Sequence, residues 1–163
     1  MAQIHADGFE NVLRIRKEFV PYYDQHNADK SRPYPGITEL LTELQTKGVQ
    51  LAVASNKYQA ATEKLIAHYF PTIRFIAVFG QREGVNVKPD PTVVYDILKI
   101  AKTAKEDVLY VGDSGVDVQT AIHADITSCG VTWGFRPRAE LETFHPDYIV
   151  DKAEEIIESV LKD

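Results

Sequence analysis

A few side chains in this sequence have the types and the spacing to hold a phosphoryl group beside a divalent cation. The stretch VLYVGDSGVDVQTA, Val108 to Ala121, runs from apolar residues into two carboxylates, Asp113 and Asp117, and then into helical spacing. A carboxylate pair at the end of a buried strand suits Mg²⁺, a hard cation that keeps several waters and is commonly held by one or two carboxylates plus substrate phosphate. Ser55 and Asn56 follow the apolar run LAVA, and Lys88 stands in VKPDP. A hydroxyl can donate to a phosphoryl oxygen, and an ammonium can neutralise charge shared between a phosphate and an attacking carboxylate. The set predicts a site in which Asp113 ligates the cation directly. Asp117 would ligate through water or orient its neighbours, and Ser55, Asn56 and Lys88 would bind the phosphate.

Each residue by itself also has a plainer reading. Asp117 suits a helix N-cap, Ser55-Asn56 suits a turn, and a lysine ahead of Pro-Asp-Pro suits a solvated loop. Asp113 is harder to account for so simply, because a carboxylate directly after an apolar strand needs a partner if it is buried. The order favours a site: a serine, then a lysine, then the acidic pair, all near strand ends.

The elements that must position these residues follow from periodicity. Phe9 to His26 carries apolar residues at helical spacing and then breaks into HNADKSRPYPG. ITELLTELQTKG reads as an amphipathic helix with a glycine end signal, and VQLAVASN turns strand-like. Beyond it, ATEKLIAHYF, PTVVYDILKIAK, DVQTAIHAD and AEEIIESVLK read as helices. FIAVFG, VLYVGD, SCGVTW and YIVD read as strands. Short apolar strands separated by helices predict an α/β fold, a doubly wound parallel sheet covered on both faces. In such sheets ligands bind outside the carboxyl ends of the strands, where the residues singled out above stand.

Composition narrows the partners. At 163 residues and 44% hydrophobic content the chain suffices for one compact domain, and two full domains would be a squeeze. A net charge of -6 argues against nucleic acid as a partner. No apolar run approaches the roughly 20 residues that span a bilayer, and no signal peptide is evident, so a soluble protein without membrane contact is expected. Cys129 is the lone cysteine and no Cys/His cluster has zinc spacing, which fits a reducing compartment and makes the cytoplasm the expected location.

Four segments, YPGITELLTELQTKGVQLAVASNK, REGVNVKPDPTVVYDIL, VLYVGDSGVDVQTAIHAD and GVTWGF, resemble the haloacid dehalogenase superfamily of phosphatases, in particular its phosphoglycolate phosphatase branch. The resemblance runs from about Tyr34 to the C-terminus. It implies a Mg²⁺-dependent phosphomonoesterase acting on a small anionic phosphate ester through an aspartyl-phosphate. Ser55 matches the family's second, phosphate-binding motif, Lys88 the third, and Asp113 with Asp117 the acidic fourth motif that holds Mg²⁺. Trp133, Gly134 and Phe135 match a segment lining the site entrance, while Arg136 and Arg138 near the mouth could attract an anionic substrate.

The resemblance also implies a nucleophilic aspartate in a DxDGT-like motif on the first strand, and the sequence carries none. QIHADGF, with His5, Ala6, Asp7 and Gly8, could mimic a degenerate version, but only Met1 to Ile4 precede it. The expectation is therefore a core truncated at the N-terminus, with residues 1–33 a remnant of the helical cap and linker and 34–163 the α/β core. Such a chain would bind without turning over, and the alternative is a noncatalytic binding or regulatory module of the same fold. In the family the absent strand lies between the Ser55 and Asp113 strands. Its absence would leave two unpaired apolar edges, to be closed by direct pairing, by a borrowed segment or by a homodimer.

Overall fold

The computed structural model describes residues 6–160, which fall into two compact units meeting at Arg32 and Pro33. In the first unit Ala6–His26 forms one long helix, α1. His5 of the QIHADGF stretch lies outside the described residues, and from Ala6 onward that stretch is helical rather than extended. The apolar residues at helical spacing form a face that stays open to solvent, with Val12, Ile15, Phe19 and Tyr22 all at least half exposed. Aromatic neighbours stack along it, Phe19 on Tyr23 at 5.4 Å and Tyr22 on His26 at 4.4 Å between centroids.

The second unit opens with α2 (Ile37–Thr46). It stops where the sequence signals: Gly48 takes φ of +80°, its N–H bonds the Gln45 carbonyl, and the Val49 N–H bonds that of Leu44. That double bond pattern is a Schellman ending, whose left-handed position glycine occupies at least cost. There follow β1 (Leu51–Tyr58), α3 (Gln59–Tyr69), β2 (Phe75–Gln81), α4 (Thr92–Ala101), β3 (Leu109–Gly112) and α5 (Gly115–Ala124). The chain then forms β4 (Thr127–Val131), α6 (Arg138–Glu142), β5 (Tyr148–Val150) and α7 (Glu154–Val160). The short α6 lies in a stretch that the sequence reading left without an element. It starts directly after Pro137, which cannot continue a strand ladder.

The strands pair in parallel as β1-β2 and as β3-β4-β5. Both groups contribute to both cores. On one face Leu51 and Phe75 meet Cys129 and Leu109 under Leu40, Leu44 and Ile156. On the other, Ala54 and Phe79 join Tyr110 and Val108 under Val93, Val94, Ala121 and Ala124. The strands thus form one doubly wound layer covered by helices on each side, as the alternation predicts, with the ladder interrupted between β1 and β3. Of the closures expected for that interruption, direct pairing of the two strands is not what forms: among the described residues no ladder joins them. Ala52 on β1 remains exposed and Val111 on β3 is 41% exposed, whereas β4 is buried along nearly its whole length.

Candidate active site

Ser55, Asn56 and Lys57 do not follow β1, as the apolar run suggested, but lie in its last stretch, where the ladder is bulged. Ala54 pairs with Phe79 while Tyr58 pairs with Gln81, so β1 spends more residues than β2 between the two pairs. A bulge re-aims side chains out of the ladder and is frequent beside functional sites. The Ser55 hydroxyl accepts the Lys57 N–H at 3.1 Å, which leaves its own hydrogen available to donate outward.

Lys88 is fixed at both ends. The Asn56 side chain clamps its backbone, the Nδ2 donating to the Lys88 carbonyl at 3.0 Å and the Oδ1 accepting the Lys88 N–H at 2.8 Å. At the far end Nζ donates to the Ala54 carbonyl at 3.0 Å and to Asp117 Oδ1 at 2.7 Å. The Lys88 side chain is only 12% exposed, which excludes the solvated-loop reading. Two of its three hydrogens are thus directed inward, and the third has no acceptor among the described residues. Ser55, Asn56 and Lys88 line one pocket together with Arg82 and Asn86. Its volume of about 10 Å³ is of the order of one water.

Asp117 is not the N-cap of α5. Ser114 holds that position, and Asp117 is the third helical residue, 7% exposed, with its carboxylate turned into the protein. Ser114 Oγ donates to its Oδ2 at 2.6 Å. Burial, then the Asp117 charge, push the neighbouring Tyr110 phenol well above its ordinary range, so it remains neutral. Gly112 is required beneath this cluster: a Cβ there would stand 2.1 Å from that of Asp117. With Lys88 on one oxygen and Ser114 on the other, Asp117 fits a cation only through an intervening water.

Asp113 has a different setting. Its Oδ2 accepts the Phe135 N–H at 2.9 Å, from the loop after β4, and its other oxygen has no partner among the described residues. Gly134 permits that approach, since a Cβ there would come within 2.2 Å of the Asp113 Cβ. A half-buried carboxylate with a free oxygen fits a hard cation whose remaining ligands are waters and phosphate oxygens. No group of three or more His, Cys, Asp or Glu side chains gathers as a metal cage among the described residues. Phe135 itself projects 85% exposed at this rim. Arg136 and Arg138 are engaged by Glu140, Glu142 and Asp151, so their charges are matched within the chain. Arg82 is likewise paired, to Asp96 at 2.7 Å.

Four residues have parts that the sequence reading does not assign. Ser114 was detectable, because Ser-x-x-Asp ahead of a helix is a capping signature. Tyr110 looked like core within an apolar strand, and nothing in the sequence marks Gly112 and Gly134 as close-approach positions.

A model of the family described as haloacid dehalogenase-like hydrolase matches residues 3–131. The phosphoglycolate phosphatase of Mesorhizobium japonicum is 34% identical over 137 residues, covering 84% of this chain and 60% of that protein. That of Agrobacterium fabrum is 34% identical over 139 residues, covering 84% of this chain and 58% of that protein. The chain therefore spans less than two thirds of the length of these relatives. Among solved structures, a Lactobacillus delbrueckii subsp. bulgaricus protein superposes with a TM-score of 0.87 at 36% identity, over 94% of this chain and 64% of that one. CbbY from Rhodobacter sphaeroides, crystallised with phosphate, shares the fold at 22% identity and a TM-score of 0.76, over 89% of this chain and 65% of that one.

Proposed function

The chain belongs to the haloacid dehalogenase-like hydrolase family, and from that premise we propose that it is the phosphate- and Mg²⁺-binding core of a phosphomonoesterase similar to phosphoglycolate phosphatase. Its substrate would be a small anionic phosphate ester. The observation that carries the proposal is Lys88: its ammonium bridges the Ala54 carbonyl of β1 and Asp117 of α5, and the residue lines a pocket with Ser55 and Asn56.

Each residue then has a task. The Ser55 hydroxyl donates to a phosphoryl oxygen, and the free hydrogen of the Lys88 ammonium neutralises the charge shared by the phosphate and its attacker. Asn56 holds the Lys88 backbone and has one Nδ2 hydrogen left to offer the phosphate. Asp113 would hold Mg²⁺ directly and Asp117 through a water. The cation would supply charge neutralisation at the phosphoryl oxygens.

The aspartyl-phosphate route needs an attacking carboxylate, and the sequence has no DxDGT-like motif to provide it. We therefore assign binding of cation and phosphoryl group to these residues and expect turnover to need a carboxylate that they do not supply. In the same proposal residues 1–33 are a cap segment with its linker and 34–163 the core. The interrupted edges of β1 and β3 are where a further strand or a second copy pairs, and the cytoplasm is the compartment. The missing motif favours one second reading, a noncatalytic binding module that keeps the fold and the anion site.

The test is a titration of the full chain with inorganic phosphate, with and without millimolar Mg²⁺, alongside an assay on 2-phosphoglycolate and an aryl phosphate. Mg²⁺-dependent phosphate binding that disappears in Asp113→Asn, without turnover, is the expected result. Turnover would place the attacking carboxylate within these residues. Phosphate binding indifferent to Mg²⁺ would favour the noncatalytic module, and no binding at millimolar phosphate would overturn both readings.

A further inference from the structure

Lys88 reaches Asp117 from outside α5, so the 2.7 Å contact between them depends on how the segment carrying Lys88 is held against that helix. Two anchors of the segment act from elsewhere. Asn56 clamps the Lys88 backbone from the bulged stretch of β1. Asp90 accepts the Thr92 N–H at 2.9 Å and the Thr92 hydroxyl at 2.5 Å on one oxygen, and the Asn86 Nδ2 at 3.0 Å on the other, which ties the segment to itself and to the start of α4. The tie to α5 comes from His123, in the last turn of that helix. Its Nδ1 lies 2.8 Å from the carbonyl oxygen of Pro89, the residue after Lys88. A carbonyl can only accept, so Nδ1 must carry the hydrogen, and in the neutral ring Nε2 is then bare. The His123 backbone is fixed in turn. The Tyr95 hydroxyl of α4 donates at 3.2 Å to the His123 carbonyl, one of those that a helix end leaves without an internal partner. α5 thus grips the segment twice, through Asp117 on the ammonium and through His123 on the peptide that follows.

We propose that His123 is a positioning residue for Lys88: by donating from Nδ1 to the Pro89 carbonyl it sets the segment against α5, and so holds the ammonium between the Ala54 carbonyl and Asp117. His123 acts through the Pro89 peptide and touches no ligand. Its bearing on phosphate rests on the role given to Lys88 above. Its hold on the segment does not, and the experiment reads the two separately.

The full chain is followed by ¹H–¹⁵N NMR without phosphate. At a pH where the ring is neutral, the native His123 signals, identified by their loss in His123→Asn, should show a protonated Nδ1 and a bare Nε2. That is the reverse of the form a free histidine side chain favours, and a bare Nδ1 would overturn the proposal before any variant is compared. His123→Leu removes both ring nitrogens, whereas His123→Asn puts an amide nitrogen where Nδ1 stood. The Lys88 and Asp90 N–H groups are bonded to Asn56 and to the Val87 carbonyl, so their hydrogen exchange reports opening of the segment. In His123→Leu that exchange should quicken by about three- to ten-fold, the loss of one hydrogen bond, with the amides of β4 unchanged. His123→Asn should bring it back to within about two-fold of native. Exchange in His123→Leu within about two-fold of native, less than one hydrogen bond provides, would overturn the proposal. So would an equal acceleration along β4, which marks a general packing role, or His123→Asn behaving like His123→Leu. Titration with inorganic phosphate and millimolar Mg²⁺ then tests the site itself. Affinity should fall in His123→Leu and return in His123→Asn. Faster Lys88 exchange with unchanged affinity would leave His123 as the anchor and remove Lys88 from the phosphate.

Discussion

Two serine–aspartate pairs lie one strand apart in this molecule and behave differently. Ser128 of β4, 2% exposed, donates its backbone N–H and its hydroxyl to Asp147 Oδ2 at 2.8 and 2.7 Å, and accepts the Asp147 N–H on its Oγ at 3.0 Å. The cluster closes on itself and ties β4 to the segment leading into β5. Ser114 and Asp117, just beyond the neighbouring β3, form an open cluster. Asp117 gathers Ser114 and Lys88, and the ammonium so gathered keeps one hydrogen without an acceptor among the described residues. The same residue types thus make a staple in one place and a poised charge in the other. The difference lies in whether the donors and acceptors cancel.

Variants can break or sharpen that contrast. The largest effect is expected at the open cluster, because removing one member of a buried ion pair leaves an uncompensated charge. Asp117→Ala should lower the unfolding free energy by about 3–5 kcal/mol in denaturant titration. Lys88→Met should cost less, since the Asp117 carboxylate would keep Ser114 as a donor. Equal losses would mean that the Ser114 hydroxyl contributes little.

The closed cluster should follow. Asp147→Ala leaves the buried N–H and hydroxyl of Ser128 without their acceptor, a loss of about 1–3 kcal/mol at neutral pH. Phosphate binding should be untouched. The Asp147 carboxyl is held below its ordinary value of 3.8, by the Ser128 N–H first and then by its hydroxyl. A carboxylate depressed in this way stabilises the folded state above pH 3.8, and that contribution disappears as the pH falls through the lowered value. The stability gap between the native chain and Asp147→Ala should therefore be full at pH 7 and close in strong acid. A gap that persists there would show that Asp147 acts by shape rather than charge.

The smallest effect on stability belongs to the residue with the most to do in the proposed chemistry. Asp113→Asn keeps an oxygen able to accept the Phe135 N–H, so the change in unfolding free energy should stay within about 0.5–1 kcal/mol. Mg²⁺-dependent phosphate binding should nonetheless vanish. A variant that loses stability and keeps binding would reverse the roles assigned to Asp113 and to the staple.

By itself the sequence determined the layer and its order. Periodicity separates the helices from the apolar strands, Gly48 ends α2, and alternation of the two element types compels a parallel sheet covered on both faces. The chemical inventory was legible as well, because a serine, a lysine and two aspartates stand near strand ends in a fixed order. Tertiary structure decided what each one faces. The bulge in β1 is a matter of register with β2, which no local pattern encodes. The burial of Lys88 depends on acceptors from Ala54 and Asp117, 34 and 29 residues away. Tyr110, read from its neighbours alone, is one more apolar residue of a strand. It becomes part of the site because folding sets its ring beneath the Lys88 ammonium, which pairs with a carboxylate that the same fold has taken out of water, where an unmatched charge is costly.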